Sequence, residues 1–243
     1  MSVAVIPARG GSKRLPRKNV RRFAGKPLLV HSIDVAAKVP AIRRILVSTD
    51  DAETADIARA AGAEVVVRPP ELSGDHATTA SAIRHALLAS FAVSDMPRTV
   101  VTLQPNCPLR SPALVAAAIA QFERENADSL VSVTRNHHKL GTIESSVFVP
   151  RYRTGMRSQD MAAEYYENGV IYVSSVTMVV ELEDLFGARI VPMVTDPLYA
   201  LGDIDTELDF KVAEFLFNTY RAELAGEQPA AKEGGSASWT SFG

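Results

Sequence analysis

Seven cationic side chains fall between residues 9 and 22: Arg9, Lys13, Arg14, Arg17, Lys18, Arg21 and Arg22. They follow an apolar run, VAVIPA at 3–8, and a glycine pair, Gly10 and Gly11. Glycines let backbone N–H groups approach an anion closely, and Arg and Lys supply charge. The whole chain carries a formal net charge of −2, so this positive charge is local. A general nucleic-acid binder shows a basic total. The loop therefore suits a small polyanion, and its place after a strand suits a triphosphate cradle. It is neither a P-loop nor the G-x-G-x-x-G dinucleotide fingerprint, because neither spacing is present. A solvated basic turn is the alternative reading of the same residues.

The elements that must position this loop alternate along the first half of the chain. Strands are expected at 3–8, 44–50, 63–70, 98–105 and 128–134, with helices at 27–39, 51–62, 78–91 and 111–126. Asp50 and Asp51 can cap the second helix, Gly62 closes it, and Ser111 followed by Pro112 opens the fourth. Strands separated by helices of this length make βαβ units and a parallel sheet with right-handed crossovers. Ligands in such sheets sit beyond the carboxyl ends of the strands. That places Arg9 to Asn19, Asp50 and Asp51, Arg68 to Asp75, and Gln104 to Arg110 around one shared cleft.

From 135 to 167 the periodicity breaks, which reads as an insertion that leaves the main sheet as a lid, a dimer arm or both. Residues 168–175 return as a strand, 181–187 form a short helix, and 188–194 form another strand. The last helix covers 205–224, with Leu208, Val212, Phe215 and Thr219 on one apolar stripe. The Gly, Ser, Pro and Ala content after it suggests a disordered tail at 225–243. One domain over 1–224 is expected. The single cysteine, Cys107, excludes an intrachain disulfide and a cysteine metal cluster, and reads as a buried, inert thiol. His137 and His138 read as surface residues. No apolar run reaches the length of a membrane span or a signal peptide, so a cytoplasmic protein is expected, with no membrane or nucleic-acid partner.

Several separated stretches together resemble the acylneuraminate cytidylyltransferase family, the CMP-sialic acid synthetases and their relatives. They are IPARGGSKRLPRKNVRRFAGKPLLVHSI, ILVSTDDAETADIARAAGAEVVVRPPELSGD, LQPNCPLR, NGVIYV and DIDTELDF, and they span roughly residues 3–215. The resemblance implies an α/β fold with a doubly wound, mostly parallel sheet of the nucleotide-diphospho-sugar transferase type. It implies transfer of CMP from CTP to a small acidic acceptor, release of pyrophosphate, dependence on Mg²⁺ and a homodimer. It assigns Arg9 and Lys18 to the triphosphate, with Gly10, Ser12, Lys13, Asn19, Arg68 and Asp75 also on the nucleotide. It places Gln104, Lys139, Arg157 and Tyr172 on the acceptor side, and Asp203 and Asp205 on the metal. Hard carboxylate oxygens suit Mg²⁺. If the DID step is extended, its two aspartates point to one side. Acids at a helix start also suit the helix dipole, which is the structural alternative for them and for Glu207.

Three departures bear on the acceptor. The text MRSQD keeps Arg157 but has Ser158 where relatives often carry a second basic residue. DLFGARI keeps Phe186 but has Gly187 where a second aromatic is usual, and the insertion is short. Losing an Arg removes a bidentate carboxylate contact, and losing an aromatic removes an apolar wall. The acceptor expected is a nonulosonic, sialic-acid-like sugar acid. The alternative is a small phosphonate such as phosphonoformate. Another sugar nucleotidyltransferase and a catalytically dead nucleotide-binding regulator are the remaining readings.

Overall fold

The computed structural model describes residues 2–74 and 77–225. In chain order the elements are β1 (Ser2–Pro7), β2 (Arg22–Phe23), β3 (Lys26–Pro27), α1 (Leu28–Ala37), β4 (Ile42–Thr49), α2 (Ala52–Ala60) and β5 (Glu64–Val67). They continue with α3 (Thr79–Ser90), β6 (Thr99–Thr102), α4 (Pro112–Glu125), β7 (Ser129–Asn136), β8 (Gly141–Glu144), β9 (Val147–Pro150) and β10 (Glu164–Ser175). The last are α5 (Val176–Leu182), β11 (Ile190–Val194), α6 (Pro197–Ala200), α7 (Glu207–Thr219) and α8 (Arg221–Ala225).

Seven strands form one sheet in the order β11-β7-β10-β6-β1-β4-β5. The β6-β1-β4-β5 half is parallel throughout, β11 is parallel to β7, and β10 alone runs antiparallel to both its neighbours. A strand covered on both faces must be apolar along its whole length. β1 meets that condition: Val3, Ala4, Val5 and Ile6 are all fully buried. Residues of α1, α2 and α4 pack into one core, and residues of α3 and α5 into the other. The helix starts follow the side chains that precede them. Asp51 accepts from the Thr54 amide, Thr78 from Ser81 and Ser111 from Leu114, with Pro112 at the first helical position. Gly62 follows the end of α2 at φ +86°, a left-handed conformation that glycine adopts without strain.

Three elements differ from the sequence expectation. The short helix lies at Val176–Leu182, earlier than 181–187, and ends at Glu183 with φ +52°. Its β-branched sequence disfavours helix, but Val176, Met178 and Val179 are buried against the α3 side of the sheet, and that burial decides the outcome. The final helix is broken at Tyr220 into α7 and α8. The stripe on α7 points outward: Leu208 is 70% exposed and Phe215 69%. The buried stripe is Phe210 and Ala213, with Phe210 edge-on to Phe23 at 5.4 Å.

The third difference concerns 135–167. Both ends of this segment stay in the main sheet, because β7 runs on to Asn136 and β10 already begins at Glu164. They pair from Glu164 opposite Asn136 to Glu167 opposite Val133. The β8–β9 hairpin lies between them in the chain as a separate two-stranded ribbon. The register of β10 shifts between Glu167 and Tyr172, where Gly169 adopts φ +72°. Buried Asn168 sits at this bulge. Its Oδ1 accepts from Ser132 Oγ (2.6 Å) and the Val170 amide (3.2 Å). Its Nδ2 donates to Thr134 Oγ1 (2.9 Å) and Thr195 Oγ1 (2.7 Å). The expected tail lies, from 226 onward, outside the described residues. Among the described residues no helix is long and apolar enough to cross a membrane.

Candidate active site

The basic loop leaves the carboxyl end of β1 and is folded against the ends of β4 and β5. The Gly10 amide donates to Asp50 Oδ1 at 2.8 Å. A side chain at Gly10 would place Cβ 2.8 Å from Asp51 Cβ, so this close approach requires glycine. Asn19 Nδ2 donates back to the Arg9 carbonyl (2.9 Å), which closes the loop on itself. Arg17 sits at φ +58° and pairs with Glu53. Arg9 Nη1 reaches the Gly74 carbonyl at 3.3 Å.

Arg68 ends β5 beside this loop and is buried. It donates from Nε to Ser48 Oγ (3.1 Å) and from Nη2 to the Ser48 carbonyl (2.9 Å). Burial pulls its guanidinium below the ordinary value; Asp50 opposes that and Arg9 adds to it. Arg68 therefore feels the charges of both Asp50 and Arg9.

The opposite wall comes from the segments after β6 and before α7. Ile204 is fully buried, which turns Asp203 and Asp205 to the same outer side. Lys18 reaches across to this segment, donating to the Ile204 carbonyl (2.5 Å) and Asp205 Oδ1 (3.3 Å). Arg14 takes the other oxygen of Asp205 at 2.6 Å. Asp203 Oδ1 accepts from Asn106 Nδ2 at 2.7 Å. Burial raises the Asp203 carboxyl above its ordinary value, and the Asn106 hydrogen bond works against that. Between the walls lies a cleft of about 450 Å³ whose lining includes Arg9, Lys13, Lys18, Asn19, Gln104 and Asp205.

The structure thus brings many of the sequence-selected residues together: Ser12 also lines the cleft, Gly10 lines a neighbouring pocket with Arg9 and Asn19, and Arg68 is close enough to Arg9 to feel its charge. Asp75 lies outside the described residues. Two acceptor-side residues, Lys139 and Arg157, are held elsewhere, whereas Tyr172 lies close enough to Cys107 and Asp203 to feel their charge. Lys139 stands over the Tyr152 ring at 5.4 Å, and Arg157 pairs with Asp160 within its own turn at 2.7 Å. Tyr172 is buried in β10 against Phe186, with its hydroxyl 3.4 Å from Glu167 Oε2. His137 and His138 are exposed. Cys107 is fully buried, and burial pushes its thiol up to about 12, which suits an inert group. The glycine at 187 has a packing reason, since a Cβ there would fall 2.3 Å from Asp128 Cβ. A second aromatic cannot stand at that place on this backbone.

Sequence reasoning missed Arg14 and Asn106. Arg14 is one cation among seven, and nothing in its spacing marks it as the partner of Asp205. Asn106 follows Gln104 directly after a strand, and that position alone could have flagged it. Among the described residues no group of three or more His, Cys, Asp or Glu side chains could hold a metal. Asp205 in the cleft wall, with Asp203 two residues before it, nevertheless offers the hard oxygens that suit Mg²⁺, which takes few protein ligands and completes its shell with water and substrate phosphates.

Comparison with known proteins follows the same line. The family model described as Cytidylyltransferase matches residues 3–190. CMP-N,N'-diacetyllegionaminic acid synthase of Legionella pneumophila is 34% identical over 232 residues, 91% of this chain and 98% of that protein. N-acylneuraminate cytidylyltransferase of Escherichia coli is 31% identical over 87% of this chain, which spans only 51% of that longer protein. The solved structure of CMP:2-keto-3-deoxy-manno-octonic acid synthetase complexed with CTP superposes with a TM-score of 0.68 at 17% identity, over 90% of this chain and 98% of its own. That last likeness concerns the fold. With a family model covering most of its length and a full-length relative above 30% identity, the chain belongs to the cytidylyltransferase family.

Proposed function

We propose that this chain transfers CMP from CTP to a nonulosonic sugar acid and releases pyrophosphate. The observation that carries the reading is the convergence of the basic loop and the acidic segment on one cleft, with Lys18 3.3 Å from Asp205. The names of the relatives, which make CMP conjugates of acylneuraminic and legionaminic acids, support the acceptor class.

In the reaction the acceptor hydroxyl oxygen bonds to the α-phosphorus and its proton passes to solvent, while the bond from that phosphorus to the β-bridging oxygen breaks and pyrophosphate leaves with the electron pair. Charge grows on the leaving phosphates. Arg9, Lys13 and Lys18, which line the cleft, would hold them, and Gly10, Ser12 and Asn19 would shape the loop that presents these cations. Arg68 fixes the end of β4 and adds positive potential behind Arg9. Gln104 and Asn106 line the side from which the acceptor approaches. Asp203 and Asp205 would hold Mg²⁺, which supplies neutralising charge to the phosphate oxygens. Lys139 and Arg157 belong to the segment between β7 and β10. Its hairpin exposes Ile143, Val147 and Phe148, a face suited to a second copy of the chain. Their part in the acceptor site would then be played across a homodimer.

The test is pyrophosphate release with Mg²⁺, using CTP, UTP, ATP and GTP as donors. The acceptor panel holds nonulosonic acids, deoxy sugar acids and small phosphonates. Release with CTP and a nonulosonic acid is expected. Preference for UTP, or turnover confined to phosphonates, would overturn the reading.

A further inference from the structure

A second cavity, of about 270 Å³, lies behind the segment that carries Gln104. It shares none of its lining residues with the substrate cleft. Its floor is α1, its roof is α7 and α8, and its back wall is the stretch from Pro108 to Pro112. The lining is unusual for an internal groove, with four cations (Lys26, Lys38, Arg110 and Arg221) against one carboxylate, Asp34. Asp34 is already spoken for by Lys26 at 2.5 Å. Arg221 donates to Asn218 Oδ1, a neutral group. Besides His31, whose Nε2 lies 2.8 Å from the Phe23 carbonyl, the rest of the wall is apolar, including Val35, Pro108, Phe217 and Leu224.

Arg110 is the informative residue. It is among the largest fully buried side chains in the protein. Its Nε donates to the Cys107 carbonyl at 2.8 Å, and Nη2 donates to the carbonyls of Gln104 and Cys107. Nη1 is buried with no hydrogen-bond partner among the described residues. No carboxylate is bonded to it there. A buried charge with no counterion and an unused donor is costly unless something of opposite charge completes it. Burial accordingly pulls this guanidinium down to about 10.

We propose that this rear cavity is a regulatory binding site for a small organic anion, a carboxylate or phosphate ester with an apolar body. The cations at the rim and Arg110 in the wall take the acid, and the Val35, Phe217 and Leu224 side takes the body. The volume lies just under the span of drug-sized pockets, which limits the ligand to a single ring or a short chain. The same Arg110 that lines the cavity holds the Gln104 carbonyl, so an anion drawing on Arg110 acts on the loop that presents Gln104 to the cleft. This second half of the inference rests on the cytidylyl-transfer reading of the cleft; the binding half does not.

The probes are para-fluorobenzoate and para-fluorophenyl phosphate, followed by fluorine NMR on the full chain, with inorganic phosphate as competitor. One saturable site is expected. It should persist in Arg9→Ala and weaken about tenfold or more in Lys38→Glu and in Arg221→Glu, the size of one lost charge-assisted contact. Both glutamate variants sit at exposed positions, so folding is not at stake. Preference between the two probes distinguishes a carboxylate ligand from a phosphate ester. In turnover assays the preferred probe should shift the KM for the sugar acid in wild type and not in Lys38→Glu. No saturable binding, or binding lost in Arg9→Ala and retained in Lys38→Glu, overturns the site. Binding without any kinetic shift overturns the regulatory role and leaves the cytidylyl-transfer reading untouched.

Discussion

Gly10 and Gly11 are neighbours in the same loop, yet the structure gives them opposite tolerances. A methyl group at Gly10 would lie 2.8 Å from Asp51 Cβ, whereas one at Gly11 meets nothing within 4 Å. Packed carbons sit about 3.5–4.0 Å apart, so Gly10→Ala demands roughly 1 Å of movement. Asp51 cannot supply it, because its carboxylate is pinned by the Thr54 amide at 2.8 Å and hydroxyl at 2.6 Å at the start of α2. The loop must lift instead, and the 2.8 Å bond from the Gly10 amide to Asp50 is what it lifts away from. Overpacking of this kind costs about 1–3 kcal/mol. A shift near 1 Å in the adjoining Arg9 can cost on the order of a hundredfold in turnover. Gly11→Ala should leave stability within about 0.5 kcal/mol of wild type. Urea melts of the two variants, with CTP-dependent pyrophosphate release alongside, read both quantities. Equal destabilisation by the two, or a wild-type melt for Gly10→Ala, would show that the close approach to Asp51 is not what fixes this loop.

Lys18→Met should stay folded and lose about a hundred- to a thousandfold in kcat, as expected for one preorganised charge-stabilising group; a wild-type kcat would remove Lys18 from the chemistry. The hydrogen bonds from Thr54 hold the Asp51 carboxyl below its ordinary value. Its contribution to stability is therefore present above the unfolded carboxylate range and lost as pH falls through the folded value. Asp51→Asn, which cannot titrate, should close the gap to wild type in acid melts, and a constant gap from pH 7 downward would refute the assignment. Cys107, with its thiol near 12, should resist a thiol reagent in the native chain and react on unfolding; fast native labelling would show an open path to the sulfur.

The parts of the fold that were legible in the sequence are those decided locally. Ser111 with Pro112, Asp51 with Thr54, and Gly62 after Ala61 each mark a helix end by backbone chemistry within a few residues. The parts that were not legible depend on which surface meets which. α7 carries two apolar stripes, and only packing against Phe23, Leu28 and Ile204 selects Phe210 and Ala213 over Leu208 and Phe215. α5 is rich in β-branched residues, which disfavour helix, and only its burial beneath α3 decides the outcome. For the candidate site, the loop from Arg9 to Asn19 stood out by charge and by resemblance. The Arg14–Asp205 pair spans 191 positions along the chain, and Arg110 is a buried charge within an apolar-looking motif. Neither distance nor burial is written in local spacing.

The satisfied bulge around Asn168 divides β10 into two lengths that answer to different neighbours. Tyr172 to Ser175 are locked in register with β6, while Glu164 to Glu167 pair only with the outer end of β7. A strand turns its side chains over with every single-residue slip, and the bulge absorbs such a slip before it reaches the inner length. The projecting part can therefore be lengthened, shortened or exchanged for that of a cousin without re-threading the ladder between β10 and β6. Asn168 is the splice point at which lineages, or engineers, can exchange the outer segment while the inner sheet keeps its thread.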